Sequence, residues 1–138
     1  MRRIHLVIGV LGVITFLITG QVMKHHQPRM LELPAELRMM YVSRHIYLLG
    51  ASLVNVVLGL YLKVNPHGWR RILQGIGSLL ILLTPVSLLM AFIAEPSLGM
   101  VGRSGRSYFG LIGLFAGVMT HSAASDGDGR IDTPRQAP

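Results

Sequence analysis

The sequence contains no cysteine among its 138 residues. This absence excludes disulfide bonds, thiolate catalysis, covalent attachment of a c-type haem and zinc sites built from cysteine. Acidic residues are also scarce, with six Asp and Glu against thirteen Lys and Arg. The excess of positive charge does not indicate nucleic-acid binding, because no basic run is interleaved with aromatic residues. The basic residues occupy short loops, and anionic lipid headgroups are the partner that this pattern favours.

Charged residues of either sign make up only 14% of the sequence, whereas 51% of its residues are hydrophobic. This is the composition of a membrane protein. Four apolar segments meet or approach the roughly 20 residues that a helix needs to cross a bilayer. They cover about residues 4–23, 41–62, 72–93 and 107–121. Because the connections between them are short, the sequence predicts an all-α fold: an integral membrane, antiparallel four-helix bundle formed by residues 1–121.

The first apolar segment follows two arginines, as the apolar part of a secretory signal peptide does. It is longer than such a segment and ends without a small-residue cleavage site, so it is interpreted as an uncleaved first span. The second helix is expected to begin near Pro34, since proline suits the first helical turn. The positive-inside rule places both termini in the cytoplasm, in a bacterial inner membrane, although the difference in charge between the two sides is small.

The last segment, residues 122–138, is predicted to be a disordered polar tail. It contains three aspartates at positions like those of a calcium-binding loop: Asp126, Asp128 and Asp132. Ala124 stands where the first ligand of such a loop belongs, and Arg135 stands where its bidentate glutamate belongs. The sequence therefore predicts no metal site here.

One face of the second span is lined by polar or small residues along its whole length. An unpaired polar group in hydrocarbon costs several kcal/mol, so this face is expected to point into the bundle. Together with residues of the third span it forms a predicted polar stripe of Tyr41, Ser52, Asn55, Lys63, Gln74 and Glu95. Asn55 is interpreted mainly as a packing residue that hydrogen bonds to another helix. Pro85 is expected to leave the carbonyl of Ile81 without its helical partner and to kink the third helix.

The first and fourth spans also have a polar or small face. That of the first span includes His5 and Thr19. In the fourth span, three glycines are predicted to pack against another helix: Gly110, Gly113 and Gly117, the last two at GxxxG spacing. Such faces favour self-association or contact with other membrane proteins.

The six histidines are the most suggestive residues, because two inward-facing imidazoles at one depth on different helices can ligate a b-type haem. An arginine nearby could bind a haem propionate or a quinone carbonyl. The candidate cofactor-binding residues are His45, His26, His25, Arg38 and His121. The alternative is that these imidazoles simply sit at the water boundary, where five of the six are expected to lie.

Glu95, at the end of the third predicted span, is the second candidate for chemistry. It could take part in a proton relay, or it could neutralise Arg44 or Arg38. The competing interpretation is a carboxylate at a helix end in the water of the headgroup region.

Three functional hypotheses follow. The first is an accessory or scaffold subunit that acts through helix packing, because no catalytic constellation is present. The second is a membrane redox protein that binds haem b or quinone at inward-facing histidines. The third is a small transporter or channel that uses the polar stripe.

Overall fold

The computed structural model describes residues 1–63, 68–96 and 105–125. Within these residues the chain forms four α-helices and no β-strand, which confirms the predicted all-α fold. The helices are α1 (Arg2–Lys24), α2 (Ala35–Tyr61), α3 (Gly68–Ala94) and α4 (Gly105–Ser125), with a 3-10 turn at Met30–Glu32. The carbonyl of Pro34 accepts the first helical hydrogen bond of α2. Residues 122–125 are helical, and the rest of the predicted tail, including the calcium-loop aspartates, lies outside the described residues.

Three of the helices, α1, α2 and α3, are long and apolar enough to cross a membrane. The two longest have 27 residues each, which at 1.5 Å per residue gives about 40 Å, more than the thickness of a hydrocarbon core. α4 is not among the three. The fourth span therefore stays a prediction.

Each helix packs chiefly against its neighbours in the chain: α1 on α2, α2 on α3, and α3 on α4. The pairs His5–Asn55 and Thr19–His45 show that α1 and α2 run antiparallel. Hydrogen bonds between α2 and α3 and between α3 and α4 show that these helices are also antiparallel. The small apolar core is formed by the buried Leu48, Ala51 and Leu88, with Phe16, Leu89 and Leu114 packed against them. The central helices α2 and α3 thus carry the interior, and α1 and α4 flank them.

Glycines set the close approach of the flanking helices. A Cβ atom on Gly59 of α2 would lie 2.5 Å from the backbone nitrogen of Leu6 in α1. A Cβ atom on Gly77 of α3 would lie 2.8 Å from the carbonyl oxygen of Gly117 in α4. The α1–α2 and α3–α4 contacts are therefore backbone to backbone, as small residues allow in membrane helices.

The three packing glycines of α4 face α3. A Cβ atom on Gly110 would meet Leu88, and one on Gly117 would meet Ile81, while Gly113 lies opposite Thr84. The small size of Gly110 and Gly117 therefore serves packing within the chain, whereas a Cβ atom at Gly113 would be 3.8 Å from Thr84, an ordinary contact. Gly50 of α2 differs, because no atom lies within 4 Å of its Cβ position.

Candidate functional site

A buried ion pair joins the central helices at one end of the bundle. Arg44 Nε of α2 donates to Glu95 Oε2, which follows α3 directly, at 2.9 Å. Only 9% and 4% of the two side chains are exposed. Ser107, in the first turn of α4, donates its backbone N–H to Glu95 Oε1 at 3.0 Å and its hydroxyl to Oε2 at 2.7 Å. This Arg44–Glu95–Ser107 network therefore ties three helices together.

The network holds Glu95 as a carboxylate. Burial alone would raise the pKa of this carboxyl, but hydrogen bonds from Ser107 and from the Arg44 guanidinium outweigh it and hold the pKa below its ordinary value. Arg44 Nη1 also donates to Ser43 Oγ at 3.0 Å. Of the two partners expected for Glu95, the structure selects Arg44. An acid locked as an anion in this way is suited to fixing helices rather than to carrying protons.

Asn55 forms the second connection, here called the Asn55 bridge. Its Nδ2 donates to the carbonyls of Ala51 and Ile81, each at 3.0 Å. Pro85 lies within α3 and has no N–H, so the carbonyl of Ile81 lacks the partner that position 85 supplies in an ordinary helix. Asn55 satisfies this carbonyl from the neighbouring helix. The fully buried amide thus compensates for the proline.

His5 completes the bridge from α1. Its Nδ1 lies 2.8 Å from Asn55 Oδ1, and the ring is fully buried. Because the Asn55 amide nitrogen already donates to two carbonyls, Oδ1 is the acceptor and Nδ1 of His5 carries the proton. In the neutral ring Nε2 is then an acceptor. The described residues provide no hydrogen-bond partner for His5 Nε2, nor for the fully buried Ser78 Oγ.

His121 of α4 lies at the same end of the bundle as His5. It hydrogen bonds with the backbone of Gln74 in α3. His121 also lines a groove of about 220 Å³ between α2, α3 and α4. The groove opens to the outside between Val57 and Val118, which are 53% and 37% exposed. Two imidazoles from different helices thus share one end of the bundle.

The other candidate histidines have separate surroundings. His45 Nδ1 lies 2.9 Å from Thr19 Oγ1, and its ring stacks on Phe16 with the centroids 4.0 Å apart. His25 and His26 lie with Nδ1 2.9 Å from the backbone carbonyls of Gln21 and Pro28, respectively. None of these contacts joins two histidines, and Arg38 forms no part of them.

The members of the predicted polar stripe mostly meet the backbone of neighbouring turns or helices. Ser52 donates to the carbonyl of Leu48 at 2.6 Å, and Gln74 donates to that of Lys63 at 3.2 Å. Tyr41 contacts the rings of His26 and Phe92 edge-on. These contacts are typical of helix packing, and a transport role for the stripe stays a prediction.

Three residues that were not among the predicted site residues are buried at these networks in the structure: His5, Ser78 and Ser107. A signal existed for Ser107, since the free N–H groups of a helix N-terminus attract a carboxylate. Glu95 caps α4 in this way. His5 and Ser78 were visible only as members of polar faces.

Among residues 1–63, 68–96 and 105–125, no group of three or more His, Cys, Asp or Glu side chains is placed to hold a metal ion. Comparisons with family models, with curated proteins and with solved structures give no match for this chain. A functional interpretation therefore depends on the two networks and on the helix surfaces.

Proposed function

We propose that the protein is an accessory or scaffold subunit of a membrane assembly, in a bacterial inner membrane with both termini in the cytoplasm. The observation that carries this proposal is the use of buried polar side chains as ties between helices. Arg44, Glu95 and Asn55 each bond to another helix across the α2–α3 contact. A bundle fixed in this way can present constant outer faces to a partner.

The outer faces are apolar on all four helices. Their exposed side chains include Val7, Leu11 and Ile14 on α1, Ile46, Leu53 and Val57 on α2, Leu79, Leu83 and Met90 on α3, and Phe109, Ile112 and Phe115 on α4. Such surfaces suit lipid and the helices of other membrane proteins equally well. Gly50 lies on the exposed face of α2, where a partner helix can approach closely.

The test is the size of the native assembly and its sensitivity to Gly50→Leu. We expect the tagged protein, extracted in mild detergent, to migrate on a native gel in a discrete complex larger than the monomer. Gly50→Leu is expected to reduce that complex at least fivefold, because the added side chain fills the surface at which a partner approaches. The purified monomer is expected to be at least as stable as the parent protein, because no described atom lies within 4 Å of this Cβ position and leucine favours a helix more than glycine does.

Val10→Leu provides the matched control, since Val10 is exposed on α1 and the change also adds apolar volume. It is expected to leave the complex intact. A protein that migrates only as a monomer, in cells that express it from its own promoter, would contradict the scaffold proposal.

A second candidate function is supported by the orphaned nitrogen of His5. Its Nε2 is buried with no hydrogen-bond partner among the described residues, and His121 lies at the same end of the bundle. A ligand with a hydroxyl group would supply the missing donor. Haem fits this end poorly between α1 and α2, because Gly59 and Leu6 are already in backbone contact. The groove beside His121 is lined mainly by apolar side chains of α2, α3 and α4, which suits the ring of a quinol.

Fluorescence of the single tryptophan, Trp69, provides the measurement for this second candidate. Decylubiquinol, kept reduced, is expected to change this fluorescence saturably, and His5→Ala is expected to weaken binding at least tenfold. His25→Ala, which alters an exposed ring, is the control. An unsaturable change that is equal in all three proteins would reject a quinol site, and a Soret band in the purified protein would point to haem instead.

A further inference from the structure

Basic side chains converge at the end of the bundle where α1 and α3 begin and α2 ends. The basic end is defined here as Arg2, Arg3, Lys63, Arg70 and Arg71. Four of the five side chains are exposed, and Arg70 is half-buried. The described residues place no acidic side chain at this end.

Contacts between helices hold these residues side by side. Arg2 Nε donates to the carbonyl of Gly59, near the end of α2, at 3.0 Å. The side chain of Met1 reaches α3, where its Cε lies 3.7 Å from the Cβ position of Gly75. The carbonyl of Lys63 accepts a hydrogen bond from Gln74 of α3. The basic groups of three segments therefore form one continuous surface.

The opposite end of the bundle carries acidic as well as basic side chains. It also carries five basic residues within the described chain: Lys24, Arg29, Arg38, Arg44 and Arg106. It holds all three described acids as well: Glu32, Glu36 and Glu95. One of these basic groups, Arg44, is buried in its ion pair with Glu95. Among the described residues, the net positive charge is therefore larger at the basic end, where no acid offsets it.

Trp69 lies at the edge of the basic end. Its ring is 63% exposed, and the Arg70 guanidinium lies 5.3 Å from the ring centroid. Exposed tryptophan next to arginine is typical of the depth at which lipid headgroups lie. The aromatic ring and the cations together match a molecule that has an anionic head above an apolar tail.

We propose that the basic end is a binding surface for the headgroup phosphate of anionic phospholipids. Arginine guanidinium groups bind phosphate oxygens through paired hydrogen bonds, and the basic end offers exposed arginines from both α1 and α3. This inference rests on the membrane location in the proposed function but not on a partner protein. It also assigns the basic end to the leaflet that is rich in anionic lipid.

The test compares phosphatidylglycerol with phosphatidylcholine of the same acyl chains, by native mass spectrometry of the full chain in an uncharged detergent. We expect at least tenfold tighter binding of phosphatidylglycerol. Arg3→Gln/Arg71→Gln removes two exposed charges of the basic end and is expected to abolish most of this preference, since each basic residue near an anionic surface contributes about fivefold. Lys24→Gln/Arg106→Gln removes two exposed charges at the other end and is expected to preserve it.

Equal loss in the two variants, or no preference in the parent protein, would overturn the proposal. Displacement of the lipid by millimolar inorganic phosphate would also overturn it, because the surface would then recognise free phosphate. A protein that binds phosphatidylglycerol as expected but forms no larger complex would retain the lipid surface and lose only the scaffold role. Absence from the membrane fraction would instead refute the membrane location itself.

Discussion

Replacing Glu95 with glutamine is expected to lower the free energy of unfolding by about 3–5 kcal/mol. The substitution preserves the size of the side chain but removes the charge that faces Arg44. The guanidinium would then remain buried without a counter-ion, and this is the costly state, whereas an intact buried pair contributes little by itself. Unfolding by sodium dodecyl sulfate in mixed micelles, followed by circular dichroism, measures the change.

Glu36→Gln is the control, because Glu36 is exposed in the first turn of α2. It is expected to change the free energy of unfolding by less than about 0.5 kcal/mol. Arg44→Met/Glu95→Met should recover part of the loss, since it removes both charges. Equal effects of Glu95→Gln and Glu36→Gln would mean that the ion pair does not stabilise the fold.

The stability of the folded protein is expected to fall at acidic pH. The pKa of Glu95 in the folded protein lies below the ordinary value of 4.5. The stabilisation from this group is therefore fully present above about pH 4.5 and is lost as the pH falls through the folded-state pKa. In Glu95→Gln, the loss of stability on lowering the pH should be smaller than in the parent protein.

The second large effect is expected for Asn55→Leu, which should lower the free energy of unfolding by about 3 kcal/mol. Leucine removes the donor to Ile81 and the acceptor for His5, and each buried group left without a partner costs about 1–3 kcal/mol. Gln21→Leu, which replaces an exposed amide on α1, is the control and is expected to be close to neutral. The same unfolding titration serves both variants.

A double-mutant cycle isolates the link to Pro85. Pro85→Ala restores an N–H that can bond to the carbonyl of Ile81 within α3. In that background Asn55→Leu should cost about 1 kcal/mol less than in the parent protein, because one acceptor no longer depends on it. Strictly additive effects would contradict the assigned role of the Asn55 bridge.

The length of the apolar segments in the sequence was sufficient to predict the four helices. The sequence also predicted that Pro85 deprives Ile81 of a partner. It did not identify the donor, because the partner across a helix contact depends on the register between helices. That register is set by tertiary contacts such as Gly59 against Leu6, which no periodicity within one helix contains.

The candidate site was harder to predict than the fold. Arg44 and His45 are adjacent, so their side chains differ by about 100° around α2. The sequence analysis named His45 as an inward-facing candidate ligand, whereas the structure buries Arg44 and leaves His45 half-buried against α1. His5 was given little weight because it lies near a chain end. Its burial follows from the close approach that Gly59 permits.

Because each helix packs against its neighbours in the chain, the structure also indicates an order in which the bundle can assemble. In the α1–α2 contact and in the α3–α4 contact, the backbones of the two helices lie against each other at glycines. Each helical hairpin can therefore form before the other is present. The two hairpins then join through the α2–α3 contact. Across this contact Arg44 pairs with Glu95, and Asn55 donates to the carbonyl of Ile81. Until the second hairpin has docked, the Arg44 guanidinium lacks its Glu95 counter-ion and the Ile81 carbonyl lacks its Asn55 donor. Neither hairpin therefore satisfies all of its buried polar groups alone, and docking completes both.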